Sequence, residues 1–410
     1  MKELSTGVAA APEELRHRRQ WHGPFLFVVT WAVVLIYAMT AHLTNGQRAD
    51  FGREWMAGRL IVSGQGRFLY EPDHQQAVLG PQLDDESLAR LYIPGVGWLT
   101  YPPVQGLVYA PLGALPPKAA QWCVVELSLA AVVLAGLALS RSTAGTVSAP
   151  AIVLAVLLQP AFFCNVGLGQ NAALTLILIF GGWCLGKQGQ WLTAGLVWGC
   201  LAYKPTWGVA VVWIPLALGQ PRAYLGMFLS AATLALLTLP FCGIDAWFSW
   251  WEVARRVETG YADVVKWEWM RRDLTGLIRQ TLGDIHPLWG WIGLILVVMV
   301  TAIVWRRSAG TSLRLTRDAL VLSAVVLTCP RFMFYDIVMA APAMVVALSE
   351  WTGLSKWSRV ILLALVLAYF AAFPLGYGAW PLFWAVETAS ILGLWLWCVW
   401  QLVPSCRNAG

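Results

Sequence analysis

The chain has 410 residues, of which 58% are hydrophobic and only 12% are charged, and its formal net charge is +6. A soluble domain carries roughly 25% charged residues and 45–50% apolar ones. So little charge over this length cannot cover a water-facing surface, which excludes a soluble enzyme, a disordered or collagen-like chain and a nucleic-acid-binding domain. The composition predicts a polytopic membrane protein of the all-α class.

The apolar stretches predict where the chain crosses the membrane. The first, Pro24–Leu43, follows Arg16, Arg18 and Arg19, so the positive-inside rule places residues 1–23 in the cytoplasm. No small-residue cleavage site follows it, so we expect a retained helix rather than a signal peptide. With roughly 20 residues needed per spanning helix, the sequence predicts about twelve crossings. The others lie at 118–140, 149–165, 171–186, 190–203, 205–218, 223–242, 287–305, 318–329, 333–349, 357–374 and 380–403.

One apolar segment, Pro103–Leu115, is too short to be counted as a crossing. As a helix it would reach only about 20 Å. It is bracketed by Pro102-Pro103 and Pro116-Pro117, which indicates a re-entrant or interfacial piece. Counting it as a crossing would reverse every later loop and put the basic run Arg306–Arg317 outside, against the positive-inside rule.

This topology predicts a single membrane domain, residues 24–403, followed by a cytoplasmic tail, 404–410. Two long segments, about 44–100 and 243–286, then lie outside. The second is rich in tryptophan and arginine, which favour the headgroup layer and anionic lipid. It predicts amphipathic helices that lie on the outer interface. The same segment could also bind a lipid-linked phosphate, and the two interpretations are compatible. The residues concerned are Trp247, Trp250, Trp251, Arg255, Arg256, Trp267, Trp269, Arg271 and Arg272.

Four outer turns carry polar residues that need an explanation, since ionisable groups at membrane depth are costly. In the first, Asp50 precedes Arg53 and a helical stretch. A carboxylate beside an arginine can accept a proton, and the alternative is an ordinary helix N-cap. In the second, Tyr101-Pro102-Pro103 opens the short apolar segment, where proline is typical of a helix start.

The third turn contains Gln170 and Asn171 after two glycines that permit a tight turn. Their amides can donate to sugar hydroxyls or cap the next helix. Lys204, before Pro205, interrupts an apolar stretch without a carboxylate nearby in sequence. It is placed either to bind a phosphate or to snorkel to the interface. The predicted topology places the fourth turn on the same outer face.

That fourth turn contains Arg331, Tyr335 and Asp336. Arg331 supplies a second cation suited to bidentate phosphate binding, or it simply pairs with Asp336. Transporters more often place such groups at mid-membrane on broken helices of paired repeats. Clustering on one side favours a reaction at the outer surface with a lipid-delivered substrate, and a lipid or anionic-solute transporter or flippase is the alternative.

The order of these motifs resembles glycosyltransferase family 87, from about Asp50 to Asp336. The motifs are Asp50-Phe51, Leu69-Tyr70, Tyr101-Pro102-Pro103, Gly169-Gln170 with Asn171, Lys204-Pro205 and Pro330 with Tyr335-Asp336. The resemblance implies the C-type membrane glycosyltransferase architecture with a large first outer loop. It also implies a polyprenyl-phosphate sugar donor, commonly mannose. The chain departs from the family in having Glu54-Trp55 where an aromatic pair is usual, and Arg331 where a histidine is often found.

The resemblance implies a role for each of these residues. Asp50 matches the carboxylate that the fold uses as catalytic base in an inverting hexosyl transfer. Lys204 and Arg331 would bind the donor phosphate. The expected partners are a lipid-linked sugar donor, a glycan or glycolipid acceptor and membrane lipids, with no metal or other cofactor. The expected site lies on the outer face of the cytoplasmic membrane. The substrate-binding residues would be Arg53, Tyr101, Gln170, Asn171, Tyr335 and Asp336.

Overall fold

A computed structural model of the chain describes residues 29–33, 36, 49–82, 88, 92–93, 96–262, 270–283, 288–376 and 381–407. In these ranges the chain is helical, and β-structure is limited to two isolated bridges. The predicted all-α class is confirmed. The α-helices are α1 Ala49–Val62, α2 Pro72–Leu79, α3 Pro103–Gly113, α4 Pro117–Ser142, α5 Ala149–Leu158, α6 Pro160–Leu168, α7 Ala172–Lys187, α8 Trp191–Gly199, α9 Pro205–Val212, α10 Ile214–Leu218, α11 Arg222–Cys242, α12 Asp245–Ala262, α13 Leu274–Leu282, α14 Leu288–Arg307, α15 Arg314–Leu327, α16 Ala341–Leu348, α17 Lys356–Gly376 and α18 Pro381–Arg407.

The count of about twelve crossings is not confirmed. Among the described residues, four helices are long and apolar enough to span a membrane: α4, α11, α14 and the Ala385–Val403 part of α18. Helices α5 and α6, bent by 69° at Gln159, make a fifth candidate if they count as one span. The predicted first crossing, Pro24–Leu43, lies largely outside the described residues.

Helix breaks explain part of this difference. Four of the predicted crossings are apolar but shorter helical stretches: Ala172–Lys187, Trp191–Tyr203, Pro205–Leu218 and Phe334–Leu348. Proline has no N–H to donate and disfavours the helical conformation of the residue before it, so a proline after an apolar run starts a new helix. Pro205 does this at the start of α9, and Pro342 lies in the first turn of α16.

Helix α1, in the first of the two segments predicted to lie outside, packs closely against α3. A Cβ atom added at Gly58 of α1 would overlap the backbone of Tyr109, and one at Gly113 would overlap the backbone of Gly58. The two backbones therefore approach as only glycine permits. The predicted start of the short apolar segment is confirmed: Pro102, with an extended backbone, is the N-cap of α3, and Pro103 is its first residue.

The two ends of the bundle differ in their charged groups. At one end, Lys187 donates to Asp318 at 2.8 Å, and Arg306 Nε donates to the carbonyl of Ala217 at 2.9 Å near the end of α10. Asn171 lies at the opposite end of α7, about 24 Å away at 1.5 Å per residue over 16 residues. Lys187 and Arg306, the latter from the basic run 306–317, thus lie at one end of the bundle, and the turn with Asn171 lies at the other.

Candidate functional site

Asp50 lies in the first turn of α1, where the helix dipole favours a negative charge. Its side chain is largely buried, and both carboxylate oxygens accept hydrogen bonds. Arg53 Nη2 donates to Oδ1 at 2.9 Å, and Gln170 Nε2 donates to Oδ2 at 3.0 Å. The carboxylate is therefore held by one residue of its own helix and by one that lies 120 residues later in the chain.

The turn between α6 and α7 brings Gln170 to Asp50. Helix α6 ends at Leu168, and Gly169 follows in the left-handed region with a φ of +68°. A Cβ atom there would collide with the side chain of Phe51. Glycine is therefore needed twice, for its backbone conformation and for the contact that presses this turn against the start of α1.

Asn171 occupies the N-cap position of α7, but its side chain makes no capping hydrogen bond. Its amide Nδ2 donates to Glu54 Oε1 at 3.0 Å, and its Oδ1 accepts from Lys204 Nζ at 3.2 Å. The capping alternative is thus wrong for this side chain. Asn171 instead joins a carboxyl group on α1 to an ammonium group from another part of the bundle.

Lys204 points inward from the break between α8 and α9. Pro205 begins α9, and Lys204 before it has φ −134° and ψ 76°, outside the helical region, as expected for a residue preceding proline. Its ammonium lies 2.9 and 3.1 Å from the two carboxylate oxygens of Asp336, and both side chains are 3% exposed. The snorkelling alternative is wrong, because the charge is buried and paired.

Glu54 is a member of the site that the sequence analysis treated only as a departure from the family pattern. Its buried Oε1 accepts from Gln105 Nε2 at 3.2 Å as well as from Asn171. Burial raises the pKa of this carboxyl from its ordinary value to about 8, against the opposing effects of the neighbouring Tyr109 hydroxyl, Lys204 and Arg53. Its spacing in the sequence could have predicted this, because residues four apart share one face of a helix and Glu54 follows Asp50 by four.

Six of the nine predicted site residues therefore lie in two adjoining hydrogen-bonded clusters, together called the polar network: Asp50 with Arg53 and Gln170, and Asn171 with Lys204 and Asp336, the second cluster also containing Glu54. The clusters adjoin because Gln170 and Asn171 are consecutive and because Asp50 and Glu54 lie one turn apart on α1. The other three lie in adjoining turns. The carbonyl of Tyr101 accepts from the Tyr70 hydroxyl at 2.6 Å. Arg331 is half-buried five residues before Asp336, and Tyr335 is buried beside Phe334.

The end of the segment 243–286, which the sequence predicts to lie outside, packs on the turn that carries Arg331. Arg271 and Met333 form an antiparallel bridge, and the Arg272 N–H donates to the Phe332 carbonyl at 3.0 Å. Arg271 pairs with Asp273 at 2.9 Å.

The arginines of this docked segment do not face the headgroup layer. Arg272 pairs with Glu387 of α18 at 2.8 Å. Arg271 and Arg272 are 2% and 4% exposed, so the expectation that they face anionic lipid is wrong. Trp267 and Trp269 lie outside the described residues.

The family model of glycosyltransferase family 87 matches residues 98–330, more than half of the chain. The chain belongs to glycosyltransferase family 87. Membership identifies it as a membrane glycosyltransferase and confirms the resemblance. Neither a curated protein nor a solved structure matches the chain. The matched range contains Gln170, Asn171 and Lys204, whereas Asp50 and Asp336 lie on either side of it, so the fold joins family-matched and unmatched parts of the chain in one network.

Proposed function

We propose that this family 87 glycosyltransferase moves a hexose, by resemblance mannose, from a polyprenyl-phosphate donor to an acceptor hydroxyl, with inversion, at the outer face of the cytoplasmic membrane. The observation that carries the proposal is the carboxylate of Asp50, held by Arg53 and Gln170 at one edge of a buried polar network. The network lies at the end of α7 opposite to the basic end of the bundle, which supports an outer location under the positive-inside rule.

Asp50 acts as the general base in this proposal. It takes the proton from the acceptor hydroxyl as the oxygen attacks the anomeric carbon of the donor sugar, and the bond from that carbon to the phosphate oxygen breaks. Two fixed hydrogen bonds keep the carboxylate in one orientation. A base positioned in this way contributes about 10²–10⁴-fold to the rate.

Lys204 and Arg331 stabilise the negative charge on the departing polyprenyl phosphate, in a site where little water weakens such contacts. Lys204 already has Asp336 as a partner at 2.9 Å. For its ammonium to bind the phosphate, the phosphate has to share or replace Asp336, so donor binding is coupled to a rearrangement of this pair. Where the phosphate replaces Asp336, the two cations balance it, and the proposal assigns no metal or other cofactor.

The acceptor, a glycan or glycolipid, and the lipid tail of the donor are placed beside this network. Gln170 and Asn171 orient sugar or acceptor in the proposal. Helix α3 and the tryptophan-rich helix α12 flank a groove for the tail. The exposure of Phe248 and Trp251 on α12, 65% and 57%, supports contact of this helix with lipid.

The test is an assay on membranes that carry the protein, with radiolabelled polyprenyl-phosphate mannose and extracted acceptors. Asp50→Asn should reduce label transfer about 10²–10⁴-fold. Asp73→Asn, which changes an exposed acid on α2, is the matched control and should leave transfer intact. Transfer that survives Asp50→Asn would show that the base is wrongly assigned. No transfer from any polyprenyl-phosphate sugar, together with lipid scrambling, would favour a flippase.

A further inference from the structure

Glu54 is a buried acidic group that the proposed reaction does not use. It is 3% exposed, and its two oxygens differ in their surroundings. Oε1 accepts hydrogen bonds from Gln105 on α3 and from Asn171 at the start of α7. Oε2 is buried without a hydrogen bond of good geometry, and the hydroxyl of Tyr109 lies within hydrogen-bonding reach of the carboxyl. An ionised carboxylate buried with so few donors is costly, whereas a protonated oxygen can donate to the Tyr109 hydroxyl.

The charged groups around Glu54 already balance one another. On its own helix, Asp50 is paired with Arg53 at 2.9 Å. From the break before α9, Lys204 is paired with Asp336 at 2.9 Å. The remaining titratable neighbours are the hydroxyls of Tyr109 on α3 and Tyr203. An ionised Glu54 would therefore be a third buried anion facing two buried cations, and each cation already has a carboxylate partner.

We propose that Glu54 is a positioning residue that works as a neutral carboxylic acid. Its Oε1 orients the amides of Gln105 and Asn171, which directs Asn171 Oδ1 toward Lys204. Its protonated Oε2 keeps the face of α1 that carries Asp50 singly charged. The inference deepens the proposed glycosyl transfer and rests on it for its kinetic consequence, but the protonated state of Glu54 stands independently of the substrate.

The neutral state has a pH limit, since burial raises the pKa of Glu54 to about 8. Above that pH the carboxyl ionises and adds a negative charge one helical turn from Asp50. A donor that carries a phosphate is then repelled, so its KM rises while the chemical step changes less. Because kcat/KM reports ionisations of the free enzyme, the loss should appear there, with an apparent pKa near 8.

The first measurement needs no substrate. Infrared difference spectra of the purified full-length protein, recorded across a pH titration, should contain the carbonyl band of a protonated carboxylic acid that disappears as the pH rises through about 8. Glu54→Gln should remove this band. Glu71→Gln, at an exposed acid that precedes α2, should leave it in place. Tyr109→Phe should shift its frequency, which identifies the band even if Glu54→Gln fails to fold. A wild-type protein without the band, or a band that persists in Glu54→Gln, would overturn the proposal.

The second measurement is the pH dependence of kcat and of KM for polyprenyl-phosphate mannose. The wild type should lose kcat/KM about tenfold per pH unit above pH 8, chiefly through KM. Glu54→Gln, which keeps a neutral acceptor at Oε1, should lose this alkaline decline. Glu54→Ala should lose about ten- to a hundredfold at every pH, because the amides lose their common partner. An unaltered alkaline decline in Glu54→Gln would refute the positioning role. If the infrared band is present but no mannosyl transfer occurs, the proposed function fails and the protonated state of Glu54 does not.

Discussion

Replacing both members of the buried pair Lys204–Asp336 should be less destabilising than replacing either one. The ammonium of Lys204 contacts three oxygens, at 2.9 and 3.1 Å in Asp336 and at 3.2 Å in Asn171. Lys204→Met leaves the Asp336 carboxylate buried without its counterion. Asp336→Leu leaves the Lys204 ammonium buried without its counterion. Removing one partner of such a pair costs about 3–5 kcal/mol of unfolding free energy.

The double variant Lys204→Met/Asp336→Leu contains no unpaired charge. What it leaves is Asn171 Oδ1 without a donor, which costs about 1–3 kcal/mol for a buried acceptor. The double variant should therefore be more stable than either single variant by about 2 kcal/mol. Unfolding of the purified protein in mixed micelles with increasing denaturing detergent, followed by tryptophan fluorescence, measures the four free energies of the cycle.

The exposed pair Arg255–Glu252 on α12, with side chains 63% and 48% exposed, is the matched control. Replacing its members should change stability by less than about 1 kcal/mol. If the double variant Lys204→Met/Asp336→Leu loses as much as the two single variants added together, the pair is not coupled and the reasoning is refuted. A double variant that folds but transfers no sugar is the result expected if Lys204 binds the donor phosphate. Full activity of the folded double variant would remove that role.

Three further outcomes are expected. Arg272→Met leaves Glu387 buried without its partner at 2.8 Å and should lower the unfolding free energy by about 3–5 kcal/mol, whereas Arg272→Met with Glu387→Leu should recover much of it. Because folding raises the pKa of Glu54 from 4.5 to about 8, unfolding free energy should fall as pH rises between these values, by about 5 kcal/mol, and Glu54→Gln should abolish this slope. Ser249→Cys, at an exposed position of α12, should react with an impermeant thiol reagent from outside, and labelling only from the cytoplasm would contradict the topology.

The sequence singled out most residues of the polar network, but not Glu54 and not the contacts among them. Asp50, Gln170, Asn171, Lys204 and Asp336 stand out because polar groups are scarce in an apolar chain, and this signal does not depend on knowing the fold. Their partners are a different matter. The partner of Asp336 is 132 residues away in the chain, and that of Gln170 is 120 residues away. Such pairings follow from how helices pack, which local patterns do not specify.

The number of crossings was predictable only in part, for a physical reason. Hydropathy predicts long apolar runs such as those of α4, α11 and α14 as membrane spans. Short apolar runs do not, because a helix half inside a bundle and a helix that spans the membrane have the same composition. At Pro205 the sequence indicates the break between helices. Only the packed bundle determines that α8 and α9 are short helices.

Low charge by itself determined that this chain enters a membrane, and the order of its motifs indicated the family that the comparison then confirmed. The tertiary structure alone decided how the few charges are used. It buried Arg271 and Arg272, which the sequence had suggested for lipid, and it placed Glu54 at the centre of the network beside Asp50. A charged residue is easy to recognise in an apolar sequence. Whether it contacts a counterion, an amide or lipid depends on which helices pack together, because burying a charge without a partner is too costly.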